Sequence, residues 1–384
     1  MGSSSSESEL SDRKFIVGEH DRRSTEGYWT SRGLETLHRV YDVEELKRRM
    51  DQIDDADRFH YLTCRDKQDM TALHTAVLGD IVKVADQIIG STDTEDRDSV
   101  INCADDHGET LLQKANSSDM AQTLLDALAP KTRREFIKHK DIFGRTALHE
   151  AASLDRVKVA DQIIRSTHSE DRDSVINCAD DVGETPLHKA KSSAMAQALL
   201  DALAPKTSQN WMKLSNSERQ GVLHASAVCD RVDVADQIFR STDSEDRDSV
   251  ISCVYDDGET PLHKAKSSAM AQALLDALTP ETKQRFIKRK DTVGMTAALS
   301  ALIKEKRDVF NTIWTQSDLS TQLYLLQSHI SNSGQSLLMW VSWSGDKGIV
   351  RRLLTCIQTP DSWEEIITAD RKSTRLNSSH VRTS

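Results

Sequence analysis

The chain is short of the residues that build most sheet-based enzyme cores and small disulfide scaffolds. Aromatic residues are 5% of its 384 positions, and proline and cysteine occur six times each. So few aromatics leave the core to Ala, Leu and Ile, which suits helix-on-helix packing better than a barrel or sandwich. No CxxC pair occurs, which removes the zinc-ribbon and thioredoxin-like readings. No apolar run approaches the length that spans a bilayer, about 18 residues or more, so no transmembrane helix is predicted. The first 30 residues lack the apolar stretch of a secretory signal. P-loop, GxSxG and GxGxxG motifs are missing, as is EF-hand spacing, and no cofactor or metal is expected. Basic residues number 50 against 61 acidic, a net charge of −11. That balance argues against nonspecific binding to nucleic acid or an anionic membrane surface.

What the chain has in abundance is itself. GETPLHKAKSSAMAQALLDAL occurs at residues 183–203 and again, letter for letter, at 258–278, an offset of 75. The same offset relates VADQIIGST at Val84, VADQIIRST at Val159 and VADQIFRST at Val234, and also Pro130, Pro205 and Pro280. Each 75-residue block contains two similar units anchored on a T-x-L-H-like tetrapeptide. The anchors begin at Glu35, Thr71, Thr110, Thr146, Thr185, Gly221, Thr260, Thr296 and Ser336, spaced 36 to 40 apart. Gly stands two residues before the anchor at Gly33, Gly108, Gly144, Gly183, Gly258, Gly294 and Gly334, where a tight turn with positive φ selects it. Thr185 and Thr260 are predicted helix caps with Pro186 and Pro261 at the first helical position. An Ala-rich segment follows each anchor, and a second apolar-periodic segment follows that, which Pro130, Pro205 and Pro280 are predicted to stop.

TPLHKA at Thr185 and Thr260 and TALHEAA at Thr146, set between turn glycines and paired helices, resemble the ankyrin repeat. The resemblance spans roughly residues 33–369. Units are longer than the family's 33 residues, and the additional residues carry the apolar pairs Phe136-Ile137, Val175-Ile176, Val250-Ile251 and Phe286-Ile287. These predict a short third helix per unit, inserted before the turn. The expected fold is therefore all-α: an ankyrin-like helical solenoid with an additional helix. Residues 1–31 are predicted to be a disordered Ser-rich arm and residues 32–369 the array. Residues 370–384 are assigned to a non-native tail, because DRKSTRLNSSH reads as the in-frame translation of a common sequencing-library adapter.

The candidate chemistry divides into ladders that the repeat itself explains. His38, His74, His149, His188, His224 and His263 occupy the fourth anchor position. Successive layers lie about 8–10 Å apart, too far to share a zinc ligated at about 2.0–2.1 Å. The resemblance implies instead that each ring bonds backbone of the neighbouring turn. Cys64, Cys103, Cys178 and Cys253 fall seven residues before an anchor and are too far apart in a stack for disulfides, which points to a reducing, cytoplasmic or nuclear setting. The pairs Asp105-Asp106, Asp180-Asp181 and Asp256-Asp257 recur before the turns and are read as turn formers. Thr92, Thr167 and Thr242 beside acids read as kinase sites or as capping-box residues.

Met1-Gly2-Ser3 formally matches an N-myristoylation signal at Gly2, with Glu7, Glu9 and the lack of a basic run against it.

The function the resemblance implies is that of a scaffold or adaptor that recognises other proteins, without catalysis, on the concave face of the stack, at the turn residue before each anchor and the residue after its fourth position. The candidate partner-binding residues are Glu109, Lys114, Arg145, Glu150, Glu184, Lys189, Glu259 and Lys264. The rival reading of the same residues is that their charges pair within a unit. The rival function is a targeting arm of a longer polypeptide whose channel, kinase, death-domain or ubiquitin-ligase portion is missing. An enzyme centred on Trp314, Trp340 and Trp343 finds no His or Cys constellation to support it.

Overall fold

Every unit begins by solving one problem, the unsatisfied N–H groups at a helix start. Thr71, Thr110, Thr185 and Thr260 hold extended backbone, and each closes a capping box with the residue three positions on. Pro186 and Pro261 sit at the first helical position, as the sequence predicts. The preceding turns are built by an aspartate. Asp105, Asp141, Asp180 and Asp291 each accept two backbone N–H bonds across the turn, for example Val182 N at 3.1 Å and Glu184 N at 2.8 Å on Asp180 Oδ1. Glycine at the last tip position holds positive φ in these turns, a conformation that Asp69 takes in the turn before Thr71. Gly258 has φ of 75°, and a Cβ there would lie 3.0 Å from the amide N of Thr292 in the next turn. The two turns are joined by Thr292 N–H donating to Asp257 O at 2.7 Å.

The computed structural model describes residues 37–67, 69–203, 221–254, 257–328, 336–344 and 347–355. The N-terminal arm with Gly2, Gly33, Glu35, Pro205, Asp256, Gly334 and the tail assigned to adapter sequence lie outside the described residues. All the regular elements described are helical. The anchors at Thr71, Thr146, Gly221 and Thr296 open first helices of two turns (Ala72–Leu78, Ala147–Ser153, Val222–Cys229, Ala297–Ile303). Those at Thr110, Thr185 and Thr260 open single-turn helices (Leu111–Lys114, Pro186–Lys189, Pro261–Lys264). Long and short units alternate, and a pair of them makes the 75-residue period.

The additional segment is helical, at Arg97–Ile101, Pro130–Lys138, Ser169–Ile176, Ser244–Ile251, Pro280–Ile287 and Leu319–Gln327, and its apolar pairs, Val175 and Ile176 among them, are buried. Two local expectations change. Pro130 and Pro280 do more than stop the second helix, since each is the first residue of the third. Thr92, Thr167 and Thr242 neither form the predicted capping boxes nor are accessible to a kinase, and Thr167 and Thr242 instead end the second helices. All three are buried, with each hydroxyl donating to a carbonyl of the preceding turn: Ile88, Ile163 and Ile238 respectively.

The single-turn helices cannot satisfy their own last carbonyls, and a cation from the following long unit does so. Arg156 Nη1 donates to Gln113 O at 3.2 Å and Ala115 O at 3.0 Å. Arg231 Nη1 repeats this on His188 O and Ala190 O at 2.8 and 2.9 Å, and Lys306 Nζ reaches Ala265 O at 2.8 Å. Each cation follows a residue in the left-handed region, Asp155, Asp230 or Glu305, with φ of 57–59°. That kink returns the chain toward the short unit. Asp80, Asp155 and Asp230 then accept from Ser117, Ser192 and Ser267, the caps of the short units' second helices.

The chain divides into two compact bodies, residues 1–151 with 156–171, and residues 152–155 with 172–384. In the first, second helices pack in sequence: Val43–Met50 on Val82–Gly90, then Ser118–Ala127, then Val157–Ser166. In the second, Ser193–Asp201, Val232–Ser241, Ser268–Asp276 and Arg307–Gln316 do the same. The core of each is Leu, Ile, Val, Met and Ala from helix faces.

Two outcomes follow from this packing. Leu187 is buried and Val182, at a turn tip, is exposed; Leu187→Ala should cost about 2–5 kcal/mol and Val182→Ala less than about 0.5 kcal/mol in urea denaturation, and equal losses would refute the assignment of faces. Arg231→Met should cost about 1–3 kcal/mol, because it strands His188 O and Ala190 O. A neutral result would show that the carbonyl cap contributes nothing.

Candidate protein-interaction surface

The fourth-position residues work inside the molecule. Thr185 N–H and Oγ1 meet His188 Nδ1 at 3.2 and 2.8 Å, and the same geometry recurs for Thr71–His74, Thr146–His149 and Thr260–His263. An Nδ1 that accepts from an amide must carry its proton on Nε2. In His263 that Nε2–H donates to the carbonyl of the residue before the next anchor, Met295 O, at 3.1 Å, whereas His74 Nε2 makes no such bond. The Nε2 of His38 and of His224, whose anchors begin with Glu35 and Gly221, likewise faces Met70 O at 2.8 Å and Glu259 O at 3.3 Å. Gln113 does both jobs with its amide, accepting from Thr110 N at 2.8 Å and donating to Arg145 O at 3.2 Å. Burial holds the His74, His224 and His263 rings neutral. It pushes the His74 and His224 pKa down to about 3, and it lowers that of His263 as well.

His224 differs because its anchor is Gly221, which has no hydroxyl. Its Nδ1 lies 3.7 Å from Cys253 Sγ, the arrangement of a Cys–His nucleophile. Burial pushes the Cys253 thiol up to about 11 while the imidazole stays neutral. An activated pair requires the opposite shifts, so this one is a packed neutral contact. Cys64, Cys103, Cys178, Cys229 and Cys253 form no disulfide. Among the described residues no group of three or more His, Cys, Asp or Glu side chains could hold a metal, and no helix is long and apolar enough to cross a membrane.

The eight candidate surface residues are half-buried and paired. Glu109, Lys114, Arg145 and Glu150 form one network. Lys114 bridges Asp105 and Glu109 at 2.7 and 2.6 Å, while Arg145 contacts Asp141, Glu109 and Glu150 at 2.9, 3.2 and 3.4 Å. Lys189 pairs with Glu184 and with Asp180, and Lys264 with Glu259, which also takes Lys304 from the next unit at 3.5 Å. Burial alone would raise the Asp105 carboxyl. The Lys114 ammonium and the Glu109 and His107 amides outweigh it and hold the pKa below the ordinary carboxylate range. These charges therefore brace turn against helix as well as lining the surface.

What sequence reasoning missed are the turn tips. Ile142, Phe143 and Val182 stand in solvent at 58%, 54% and 51% exposure, and the Arg145 guanidinium lies 5.0 Å over the Phe143 ring. The signal was present, since the equivalent tip residues in the Asp105 turn are Asp106 and His107.

A turn, a T-x-L-H-capped helix and a second helix packed against it give these units the form of ankyrin-like repeats. Among solved structures the chain is similar to the ankyrin repeat domain of Bcl-3, a member of the IκB protein family, at 22% identity with 63% of this chain and 98% of that one covered and a TM-score of 0.48. It is also similar to a structure of the predatory endopeptidase Bd0816 from Bdellovibrio bacteriovorus in complex with immunity protein Bd3460, at 22% identity, 54% and 98% coverage and a TM-score of 0.40. No family model and no curated protein matches the sequence.

The neutral histidines set a pH dependence. Their folded pKa values lie below the unfolded value of about 6.5, so the unfolded chain takes up protons that the native state refuses. Stability is therefore full above about pH 6.5 and falls as pH drops toward about 3. Between pH 7 and 5, before most carboxylates titrate, Tm should fall steadily. His74→Gln, which copies Gln113, should reduce proton uptake on unfolding by about one and flatten that slope. An unchanged slope would mean that His74 is not the titrating group.

Proposed function

We propose that this chain is a non-enzymatic interaction module that binds other proteins through the edge formed by its turn tips and first helices. The observation that supports this reading best is the exposure of Ile142, Phe143 and Val182, at turn positions where Asp106, His107 and Asp181 show that folding needs no apolar side chain. Solvent-facing aromatic and branched side chains beside an Arg are the composition of interface anchors. Glu109, Lys114, Arg145, Glu150, Glu184, Lys189, Glu259 and Lys264 supply a polar rim whose pre-paired charges lose little entropy on binding. The thiols fit a cytoplasmic or nuclear setting, and the same surface would serve a targeting arm of a longer polypeptide. A photo-crosslinking residue placed at Phe143 or Val182 should yield discrete adducts in extract of the source cell, and one at Gln122 or Gln272 on the second helices should not. Identical adducts from all four sites, or none from any, would overturn the reading.

A further inference from the structure

Of four equivalent positions where the first helix of each unit ends, the 75-residue repeat keeps two cationic throughout and changes the charge of the other two. In the pair of units that starts at Thr110 the four hold Lys114, Asn116, Leu154 and Arg156, in the next Lys189, Lys191, Cys229 and Arg231, and in the third Lys264, Lys266, Lys304 and Lys306. The cations rise from two to three to four along the chain. In the third set the structure brings them together. Lys264 and Lys304 share the carboxylate of Glu259, Lys306 Nζ is tied to Ala265 O at 2.8 Å, and Lys266 is the next residue in the chain. Lys266 and Lys304 are exposed. Burial, and then the ammoniums of Lys304, Lys266 and Lys264, press the Lys306 pKa below its ordinary value, the mark of cations held close together. Folding does not require the surplus, since Leu154 and Cys229 fill the Lys304 position in the sister units. The carboxylates facing the group are Glu259, Asp230 and Glu305, of which Glu259 is shared between two lysines and Asp230 already accepts from Ser267.

We propose that Lys264, Lys266, Lys304 and Lys306 form a docking site for an acidic segment of a partner protein, with Lys266 and Lys304 making the first contacts. The inference rests on the protein-binding reading above and names the chemistry of one partner element. An acidic peptide fits better than a nucleic acid. A few carboxylates match a patch of this size, whereas a polyphosphate backbone needs an extended basic face. Carboxylates on a peptide can pair with exposed Lys266 and Lys304, and Lys304 has only to leave a 3.5 Å contact with Glu259.

The test uses the full chain and fluorescence anisotropy with three labelled probes: a Glu-rich decapeptide, its Gln counterpart and an oligothymidylate of equal charge. The Glu peptide should bind, more weakly as salt rises, and the Gln peptide should not. Lys266→Glu with Lys304→Glu should weaken binding by about tenfold or more. Lys83→Glu with Lys158→Glu, which changes net charge equally at exposed second-helix positions, should leave it within about twofold. If the first double variant fails a circular-dichroism melt, Lys266→Gln with Lys304→Gln replaces it and should still weaken binding. Equal binding of the Glu and Gln peptides, equal loss in both reversal variants, or tighter binding of the oligothymidylate would overturn the proposal. Loss of the peptide result with turn-tip crosslinks intact refutes this site alone, while loss of both refutes the interaction reading as well.

Discussion

The unit depends on a buried helix start whose N–H groups must find acceptors away from water. Thr at the cap and a neutral imidazole or amide three residues on meet that demand together. The same ring then reaches forward to the carbonyl before the next anchor, as His263 does to Met295 O. One side chain thus closes its own helix and fixes the register of the following turn. Protonating it would remove the Nδ1 acceptor and place a charge at a helix N-terminus, where the macrodipole is already positive. Burial is the main reason the ring titrates so far below its ordinary range, and the lost acceptor is why Gln can replace His at Gln113 while a cationic residue could not.

The second constraint is the single-turn helix of the short units. A helix of one turn leaves its terminal carbonyls without partners of its own. Arg156, Arg231 and Lys306 reach back from the following long unit to supply them. The piece that folds coherently is therefore a short unit with the long unit after it, which accounts for a repeat of 75 residues instead of one near 37. Arg covers two carbonyls with one nitrogen of a fixed fork, whereas Lys306 at the same place reaches one. That exchange places a compact ammonium near Lys266.

Much of this was legible in the sequence. Anchors, turn glycines, Pro at the first helical position and the third helix all depend on local rules of cap, φ and periodicity, and a signal repeated at a fixed offset accumulates. The three Thr residues before the third helix were misread for the opposite reason. A Thr before acids satisfies the capping-box pattern, but burial of Thr167 against Ile163 O is decided by the preceding helix, which a forward-reading motif does not see. The charge pairs within a unit, such as Glu109–Lys114, match one of the two readings of the sequence, but those between units were opaque. Glu109 and Arg145 are 36 residues apart, and only the stacking of one turn on the next makes them neighbours.

The distinction between core and surface in a duplicated chain comes down to which substitutions the repeat tolerated. Ser193–Asp201 and Ser268–Asp276 have identical sequences and share the same buried Met, Ala and Leu pattern, because any change there is felt at once as a cavity or a clash. Exposed positions changed character, as in Asp106 to Ile142, His107 to Phe143 and Leu154 to Cys229 to Lys304, while a buried change such as Ile164 to Phe239 stayed apolar. Drift alone would scatter charge and apolarity at random over such sites. Here the apolar changes at Ile142 and Phe143 share a turn tip, and the basic ones gather around Ala265. Substitutions concentrated where folding places no demand are better explained by contact with something outside the chain than by the needs of its own packing.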